Sequence, residues 1–399
     1  MITWLSQRLK VIPTLSATSP RPPRYVWITF LAWLALVTPA QAGIILRVNI
    51  QDEVGQIQLG SSTDASVKDG SGRTLGSIPA RGAFIAQVNP KGVLLNQWEA
   101  SQLWIEPANN GYVWIGDRWF RGRAQILPVN NNLMAVNHVD VEQYLYSVLG
   151  GEMGGNWPLE ALKAQAVASR SYALYKRRAM LANPFDIGDT TTWQVYRGIQ
   201  DESTGTQSAV NATVGQVLTV QGEIAEAVFH SSSGGSTENS EDIWFAARPY
   251  LRSVPDFDQG SPVFKWSQTI SSKQMQDSFP GIGEVISITP VRTTSQGRVI
   301  TMKLTGTTGS RTVSGETLRS TFNLRSTRFS LLPQNTTVHS SADKSVTLPG
   351  AFQINGFGFG HGLGMSQWGA YNLALSGYNY QQILGHYYRS TALARLQSN

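Results

Sequence analysis

One long segment rich in Ala and Leu constrains the fold more than any other part of this sequence. It follows Pro158 and reads LEALKAQAVASRSYALYKRRAM. Ala and Leu favour helices, and a proline in the first turn loses no hydrogen bond. The basic residues Lys176, Arg177 and Arg178 suit the negative end of a helix dipole. The sequence therefore predicts a central helix over residues 158–180.

Sequence of β character surrounds this helix. Gln56-Ile57-Gln58-Leu59 alternates polar and apolar residues as a half-buried strand does, and the 38 Gly and 18 Pro favour short strands joined by turns. We therefore predict an α+β fold. A β-rich N-terminal region occupies residues 43–119, and a mixed domain with the Ala-rich helix at its centre occupies residues 120–390.

The mixed domain also contains shorter predicted elements. Residues 262–350 form a divergent β segment, in which the Ser- and Thr-rich stretch near 334–347 is expected to be a loop. Two helices are expected near the C-terminus, around residues 371–375 and 380–388.

A further helix is expected just before Glu152. The sequence VDVEQYLYSV places Val141, Leu145 and Val148 on one apolar stripe. The glycine-rich run from Gly150 to Gly155 is expected to break this helix.

Aromatic residues cluster in the β-rich region around two glycines. They are Trp104, Tyr112, Trp114, Trp119 and Phe120. One interpretation is the core of a small β-sandwich or barrel. The other is a surface on which sugars stack, because flat aromatic faces suit pyranose rings.

The first 42 residues have the pattern of a cleaved signal peptide. A basic leader without acidic residues precedes an apolar run from Tyr25 to Val37, and Ala40-Gln41-Ala42 resembles a cleavage site. The apolar run is shorter than the roughly 20 residues that cross a bilayer, so a membrane anchor is the less favoured alternative. We expect an exported protein of the periplasm or cell wall that begins near Gly43.

Composition excludes several classes of protein. The absence of Cys removes thiol nucleophiles, Cys-based zinc sites and iron–sulfur clusters. The formal charge is +6, but four positive charges lie in the leader, leaving about +2 on the rest. We expect no nucleic-acid partner.

Motifs for common cofactors are absent. The run GFGFGHGLG contains no G-x-G-x-x-G, and the sequence has no Walker A motif and no H-x-x-x-H spacing. We therefore expect neither a cofactor nor a metal. Ser231-Ser232-Ser233 lacks the G-x-S-x-G elbow, but with His230 and His361 present a serine hydrolase stays an open alternative.

Three segments combine Gly, polar side chains and large aromatics, as a groove for a polar polymer does. They are GGEMGGNWPLEALKAQAVASRSYAL (150–174), FHSSSGGSTENSEDIW (229–244) and GFGFGHGLGMSQWGA (356–370). In this order they resemble the three signature blocks of the SpoIID/LytB family, and the resemblance spans about residues 120–390.

The resemblance implies action on bacterial peptidoglycan. Its sporulation-type members are lytic transglycosylases that cleave glycan strands stripped of stem peptides, whereas its LytB-type members enhance a cell-wall amidase. The expected partners are therefore glycan strands and, under the second alternative, an amidase.

Glu152 is the catalytic residue that the resemblance implies. A lytic transglycosylase captures the cleaved centre with the C6 hydroxyl of the sugar, so one carboxyl can first donate and then accept a proton. Met153 and Trp157 are expected to desolvate Glu152 and raise its pKa, while the following helix N-terminus favours the anion. The alternative is that Glu152 only accepts backbone N–H bonds at the helix entrance.

The same blocks supply candidate substrate-binding residues. They are Lys163, Gln165, Arg170, His230, Ser232, His361, Gln367 and Trp368. For the first three, a solvated helix face is the alternative. Glu160 is expected to have a structural role in the first turn of the helix.

The chain departs from the family at one place. Some members carry a His/Cys zinc site near the segment that here reads DTTTWQVYRG (189–198). Because this sequence has no Cys and has Trp193 in that stretch, we do not expect the zinc site here.

Overall fold

A computed structural model describes residues 43–244, 246–341 and 344–396 of the chain. The predicted signal peptide, residues 1–42, lies outside the described residues. Contacts divide the chain into two compact units. The first contains the residues up to Gly155, Ala173–Ala225 and the residues from Ala392, and the second contains Asn156–Tyr172 and Glu226–Thr391. The predicted boundary between residues 119 and 120 stays a prediction.

Most strands are short and follow one another closely, as the glycine content predicts; the pair β21 and β22 is longer. In chain order they are β1 Ile45–Val54, β2 Gln56–Ser61, β3 Ala65–Asp69, β4 Thr74–Ile78, β5 Ala83–Asn89, β6 Gly92–Leu95, β7 Trp98–Ala100, β8 Leu103–Pro107, β9 Val113–Ile115, β10 Arg118–Phe120, β11 Arg123–Val129, β12 Asn132–Asp140, β13 Ile187–Gly188, β14 Gln216–Val220, β15 Glu223–Ile224, β16 Phe229–His230, β17 Lys265–Ser271, β18 Val285–Thr293, β19 Val299–Gly306, β20 Ser310–Ser314, β21 Phe329–Ser341, β22 Lys344–Phe357, β23 Met365–Ser366 and β24 Ala392–Arg395.

The helices lie mostly in the second half of the chain. They are α1 Val141–Glu152, α2 Leu159–Ala179, α3 Thr204–Ala212, α4 Ser240–Ile243, α5 Ser272–Ser278, α6 Gly315–Phe322, α7 Gln367–Leu375 and α8 Tyr380–Tyr387, with a 3-10 turn at Gly198–Asp201. The central helix predicted over 158–180 is α2. The α+β class and the β-rich N-terminal region are confirmed.

The first unit contains two large sheets, ordered β13-β1-β12-β11-β8-β3-β4 and β10-β9-β2-β5-β6-β7, and a small sheet ordered β15-β14-β24. Along β1, Leu46, Val48 and Ile50 are buried while the residues between them are not, as expected for a strand with one face in a core. Strands β11 and β12 of the first sheet contact β6 and β2 of the second, so the two sheets share a core.

The second unit contains two three-stranded sheets, ordered β17-β22-β21 and β18-β19-β20. Their core includes Met275, Phe279, Leu318 and Phe352 from sheets and short helices. A parallel pair, β16 with β23, brings together residues from two of the three signature segments.

The loop predicted near 334–347 is wrong. Strands β21 and β22 pair antiparallel through this stretch, from Phe329 opposite Gly356 to Ser341 opposite Lys344. Thr and Val are β-branched and suit a pleated strand. The Ser and Thr content that suggested a loop is therefore also compatible with an extended hairpin.

Candidate functional site

Helix α1 includes Gly150 and Gly151 and ends at Glu152, within the glycine run Gly150–Gly155. The predicted break is therefore confirmed. A Cβ on Gly150 would lie 1.9 Å from the carbonyl oxygen of Asp201, and one on Gly151 would lie 2.9 Å from Cγ1 of Val195. Real Cβ atoms do not approach so closely, so these glycines allow close packing of other backbone against α1. They place Glu152 at the end of a packed helix.

The carboxyl of Glu152 is held from the segment 189–198. The backbone N–H of Val195 donates to its Oε1 at 2.9 Å, and the residue itself is half-buried. This agrees in part with the alternative in which Glu152 accepts backbone N–H bonds. The donor, however, comes from a distant loop rather than from the entrance of α2.

The segment 189–198 is itself fixed by buried hydrogen bonds. The hydroxyl of Tyr196 donates to Oδ1 of Asn137 at 2.8 Å, and the hydroxyl of Tyr144 donates to Gln194 at 3.1 Å. Tyr196 is buried, and burial raises the pKa of its hydroxyl well above the usual value. This phenol therefore stays protonated as a donor. The loop that presents the Val195 amide is thus anchored on both sides of that residue.

No zinc-type cluster occupies this segment. Across residues 43–244, 246–341 and 344–396, no group of three or more His, Asp or Glu side chains is arranged to hold a metal ion. Asp189 instead pairs with Arg118 at 2.9 Å.

The neighbours predicted for Glu152 have different environments. Met153 is buried at the end of α1. Trp157 packs in the second unit against Trp368, with ring centroids 4.7 Å apart, and against Tyr371 at 5.0 Å. Trp368 and Tyr371 are also in contact, at 5.2 Å. The three rings form a cluster of half-buried aromatic side chains, and this cluster includes the predicted substrate-binding residue Trp368.

The candidates on α2 differ in exposure. Gln165 and Arg170 have no exposed surface, so the alternative of a solvated face is wrong for both. Nε2 of Gln165 donates to Ser169 at 2.9 Å, while its Oε1 is buried without a hydrogen-bond partner in the described part of the chain. Arg170 donates to the carbonyl of Ala166. A binding role for these residues stays a prediction.

Lys163 forms an ion pair with Glu160 rather than extending into solvent. Its ammonium lies 2.7 Å from Oε1 of Glu160, whose Oε2 accepts the N–H of Tyr380 at 2.8 Å. Burial raises the pKa of Glu160, but the bonds from Lys163 and Tyr380 outweigh it, so the pKa lies below its usual value. Glu160 thus links the first turn of α2 to the start of α8, as its expected structural role requires.

His230 and His361 lie side by side, with ring centroids 5.3 Å apart. Nδ1 of His230 lies 3.0 Å from the carbonyl of Leu363, which can only accept, so Nδ1 carries the hydrogen. Nε2 of His230 is then an acceptor, and it has no hydrogen-bond partner among the described residues. Burial, with smaller effects from His361 and Arg298, lowers the pKa of His230 well below its usual value.

His361 is fixed in the opposite tautomer. Its Nδ1 accepts the N–H of Leu363 at 3.0 Å, and its Nε2 donates to the carbonyl of Phe229 at 3.0 Å. Burial, followed by the charge of Arg298, lowers its pKa to about 4. Both imidazoles are therefore neutral at neutral pH, and the pair offers no imidazolium to an anionic ligand.

Ser232 is not arranged as a serine nucleophile. Its hydroxyl donates to Oδ2 of Asp258, which also accepts the N–H of Gly234 at 2.7 Å. A hydroxyl that donates directly to a carboxylate has no imidazole base in the position a triad requires. Burial, followed by the charge of Asp256, raises the pKa of Asp258. Ser232 and Asp258 therefore form a buried polar pair.

A buried ion pair was missed by sequence reasoning. Nε of Arg298 lies 3.3 Å from Oε1 of Glu238, and neither side chain is exposed. Arg298 also donates to the carbonyl of Gly360 at 2.9 Å, and a Cβ on Gly362 would lie 2.4 Å from its guanidinium. Glu238 belongs to the second signature segment, whereas no local pattern marks Arg298. The pair links this segment to the glycine-rich third segment.

Gln367 and Trp368 begin α7. Ser366 caps this helix, its hydroxyl accepting the N–H of Gly369 at 3.2 Å, and the N–H of Trp368 donates to the carbonyl of Ser231 at 3.0 Å. Gln367 is buried, while Trp368 is half-buried. In the second unit the structure thus brings together the predicted residues His230, Ser232, His361, Gln367 and Trp368 around β16 and β23.

Two family models match the sequence. Residues 129–220 match the Stage II sporulation protein family, SpoIID. Residues 246–364 match a domain of unknown function, DUF8618.

Curated proteins are similar over about two thirds of the chain. An uncharacterized protein of Brachyspira hyodysenteriae is 30% identical over 277 residues, which cover 67% of this chain and 70% of that protein. Stage II sporulation protein D of Bacillus subtilis is 30% identical over 286 residues, 65% of this chain and 76% of that protein. The Amidase enhancer of the same organism is 31% identical over 290 residues, but these cover only 40% of its length.

Proposed function

We propose that this chain, which belongs to the Stage II sporulation protein D (SpoIID) family, is a peptidoglycan lytic transglycosylase with Glu152 as its general acid and base. The observation that carries the proposal is the position of Glu152. It ends the packed helix α1, and its carboxyl is oriented by the Val195 amide at 2.9 Å. A catalytic carboxyl must be held in a defined orientation. The packed helix end fixes the backbone of Glu152, and the Val195 amide orients its carboxyl.

The reaction needs one carboxyl only. Protonated Glu152 donates its proton to the glycosidic oxygen, the C1–O bond breaks, and the leaving sugar departs as an alcohol. The C6 hydroxyl of the sugar that carries C1, not of the leaving sugar, then bonds to C1 and gives its proton to the Glu152 carboxylate, which regenerates the acid. The product carries a 1,6-anhydro ring, and water is not consumed.

A retaining glycosidase would need a second carboxylate as nucleophile, about 5 Å from the acid. One acidic residue, Asp201, lies beside α1 at Gly151. Both of its oxygens accept hydrogen bonds from Arg197, at 2.7 and 3.2 Å. A carboxylate held in this way is a weaker nucleophile, which favours the mechanism with a single carboxyl.

A second function is favoured by one relative. The Bacillus subtilis protein named Amidase enhancer shares 31% identity with this chain. Under this alternative the chain binds glycan strands and stimulates a separate cell-wall amidase without cleaving glycan itself.

Both functions place the protein outside the cytoplasm. We propose export to the periplasm or cell wall through the leader of residues 1–42. Among the residues that the structure describes, no helix is long and apolar enough to cross a membrane.

The deciding experiment incubates the purified chain with glycan strands from which an amidase has removed the stem peptides. Mass spectrometry then detects 1,6-anhydro ends. Glu152→Gln, which cannot donate a proton, is expected to lower their release by about 100-fold or more. Asp201→Asn is the matched control, and it should keep most of the activity.

Three other outcomes would contradict the transglycosylase proposal. Reducing ends in place of anhydro ends would indicate hydrolysis. Equal release by Glu152→Gln would remove Glu152 from the chemistry. No glycan cleavage, together with faster release of stem peptides when an amidase is added, would support the enhancer.

A further inference from the structure

We propose that the first unit carries a second glycan-binding site, distinct from Glu152, on the face of the sheet that contains β2, β5, β9 and β10. Its ligand is a glycan strand that bears free carboxylates. The choice of this ligand rests on the proposed function, since peptidoglycan strands without stem peptides expose the lactyl carboxylate of each muramic acid.

The face contains a cavity of about 750 Å³. Ligand cavities in proteins have volumes of roughly 300–1,000 Å³, so this one can hold two or more sugar rings. Apolar and aromatic side chains form most of its lining, with Gln58, Ser62 and Arg81 as polar members.

Two tryptophans form a corner in this cavity. The rings of Trp114 and Trp119 have centroids 5.2 Å apart and planes inclined by 70°. Both are half-buried, whereas Phe120 of the same predicted cluster is fully buried. Of the two interpretations of the cluster, the core therefore holds for Phe120, and the two tryptophans keep an aromatic surface available. A corner of two flat faces can contact a pyranose ring from below and from the side.

Next to the two tryptophans, the cavity is lined by the small residues Gly60 and Ala83. Trp119 lies opposite Trp114, Trp114 opposite Gly60, and Gly60 opposite Ala83, in one row across four strands. A Cβ on Gly60 would lie 2.8 Å from the carbonyl of Gly82. The row thus places two large flat side chains beside two residues with almost no side chain. This leaves the space that the cavity occupies.

A cation lies at the same cavity. Arg81 is exposed, and its guanidinium has no hydrogen bond or ion pair with any residue that the structure describes. Its backbone has φ of +60°, a conformation that is unfavourable for a residue with a side chain. The N–H of Arg81 donates to the carbonyl of Ser61 at 2.7 Å, which holds the residue in place. Arginine pairs well with carboxylates, so the charge complements an acidic sugar.

The combination favours a carboxylate-bearing glycan over a neutral apolar ligand. An apolar ligand would pack against the two tryptophans but would offer no hydrogen-bond partner to Gln58 and no negative charge to Arg81. A glycan contacts aromatic rings through its C–H groups and offers hydroxyls to Gln58. Its carboxylate can reach Arg81.

The test measures binding without cleavage. The whole chain carrying Glu152→Gln is titrated by calorimetry with a muramic-acid tetrasaccharide that has free lactyl carboxylates. In the same background, Trp114→Ala is expected to weaken one binding event by about tenfold. Ala83→Glu alters an exposed residue, so folding should be unaffected. The new carboxylate would occupy part of the cavity and repel the carboxylate of the ligand. The substitution should therefore weaken the same binding event.

Two controls make the result specific. Tyr378→Ala removes an exposed aromatic from the second unit and should leave binding unchanged. Arg81→Gln should reduce the preference for the muramic-acid ligand over neutral chitotetraose by about threefold, as for an exposed ion pair.

Unchanged binding by both Trp114→Ala and Ala83→Glu would overturn the proposal. A site that takes a fatty acid or detergent but no glycan would overturn it too. These results are independent of catalysis. Loss of binding in Trp114→Ala would support this site even if the wild-type chain releases no anhydro ends. Release of anhydro ends by the wild-type chain, together with unchanged binding by both variants, would refute this site alone.

Discussion

Gly150 and Gly385 allow the packing of α1 to be tested with one chemical change. Both glycines are helical, and Gly→Ala adds the same methyl group to each. At Gly385 nothing lies within 4 Å of the new Cβ, whereas at Gly150 the Asp201 carbonyl oxygen would lie 1.9 Å from it. To restore a normal contact, α1 and the Gly198–Asp201 turn must move apart by about 1.5 Å.

The magnitudes follow from these contacts. Replacing Gly by Ala in a helix gains about 1 kcal/mol when nothing is in the way, so Gly385→Ala should raise the free energy of unfolding by up to that amount. Overpacking against backbone costs about 3 kcal/mol. Gly150→Ala should therefore lose about 2 kcal/mol overall, since the cost exceeds the gain in helix propensity.

Urea unfolding followed by circular dichroism measures both changes. Release of anhydro glycan ends below the unfolding transition measures whether Glu152 keeps its position. We expect Gly150→Ala to lower this release, because Val195 and Asp201 both contact the end of α1. Equal stabilisation of the two variants would refute the close approach at Gly150.

Three further predictions concern buried or half-buried groups. The pKa of His361 is lowered to about 4, so between pH 6.5 and 4 this imidazole binds a proton in the unfolded chain but not in the folded one. The free energy of unfolding should therefore fall by roughly 3 kcal/mol as the pH falls from 6.5 to 4, while the full contribution is present above pH 6.5. His361→Gln should show a smaller pH-dependent loss of stability in urea titrations. An identical loss would contradict this assignment. Arg298→Met leaves Glu238 buried without its cation and should cost about 3–5 kcal/mol by chemical unfolding. A cost below about 1 kcal/mol would argue against a buried ion pair. Tyr196→Phe removes the hydrogen bond to Asn137 and should cost about 1 kcal/mol, with lower glycan cleavage as the sign that the Val195 loop has moved. Unchanged stability and cleavage would contradict this anchoring role.

The sequence alone predicted the family and several of the helices. The helix α2 was predicted within one residue at each end, because helix propensity, an early proline and terminal basic residues are properties of neighbouring residues. The family was recognised from three motifs, and the similarity to its members confirms it. The two C-terminal helices were also found, although α7 begins four residues earlier than predicted.

Local patterns did not reveal what packs against a segment. The glycine run ends α1 as predicted, but only the structure shows that a Cβ on Gly150 would meet the carbonyl oxygen of Asp201. The sequence left both a groove and a solvated helix face open for Gln165 and Arg170, and the structure buries both side chains. Such outcomes depend on what packs against the element, and this is not encoded in its own spacing.

The sequence by itself determined the family, the long helix and the candidate acid Glu152. Only the tertiary structure decided that a distant loop orients this carboxyl through Val195, that Arg298 meets Glu238, and that Trp114 and Trp119 remain at a surface. The physical reason is the range of the interactions. Helix propensity and motif spacing act between neighbours in the chain, whereas burial and hydrogen-bond partners are set by contacts between residues far apart in sequence.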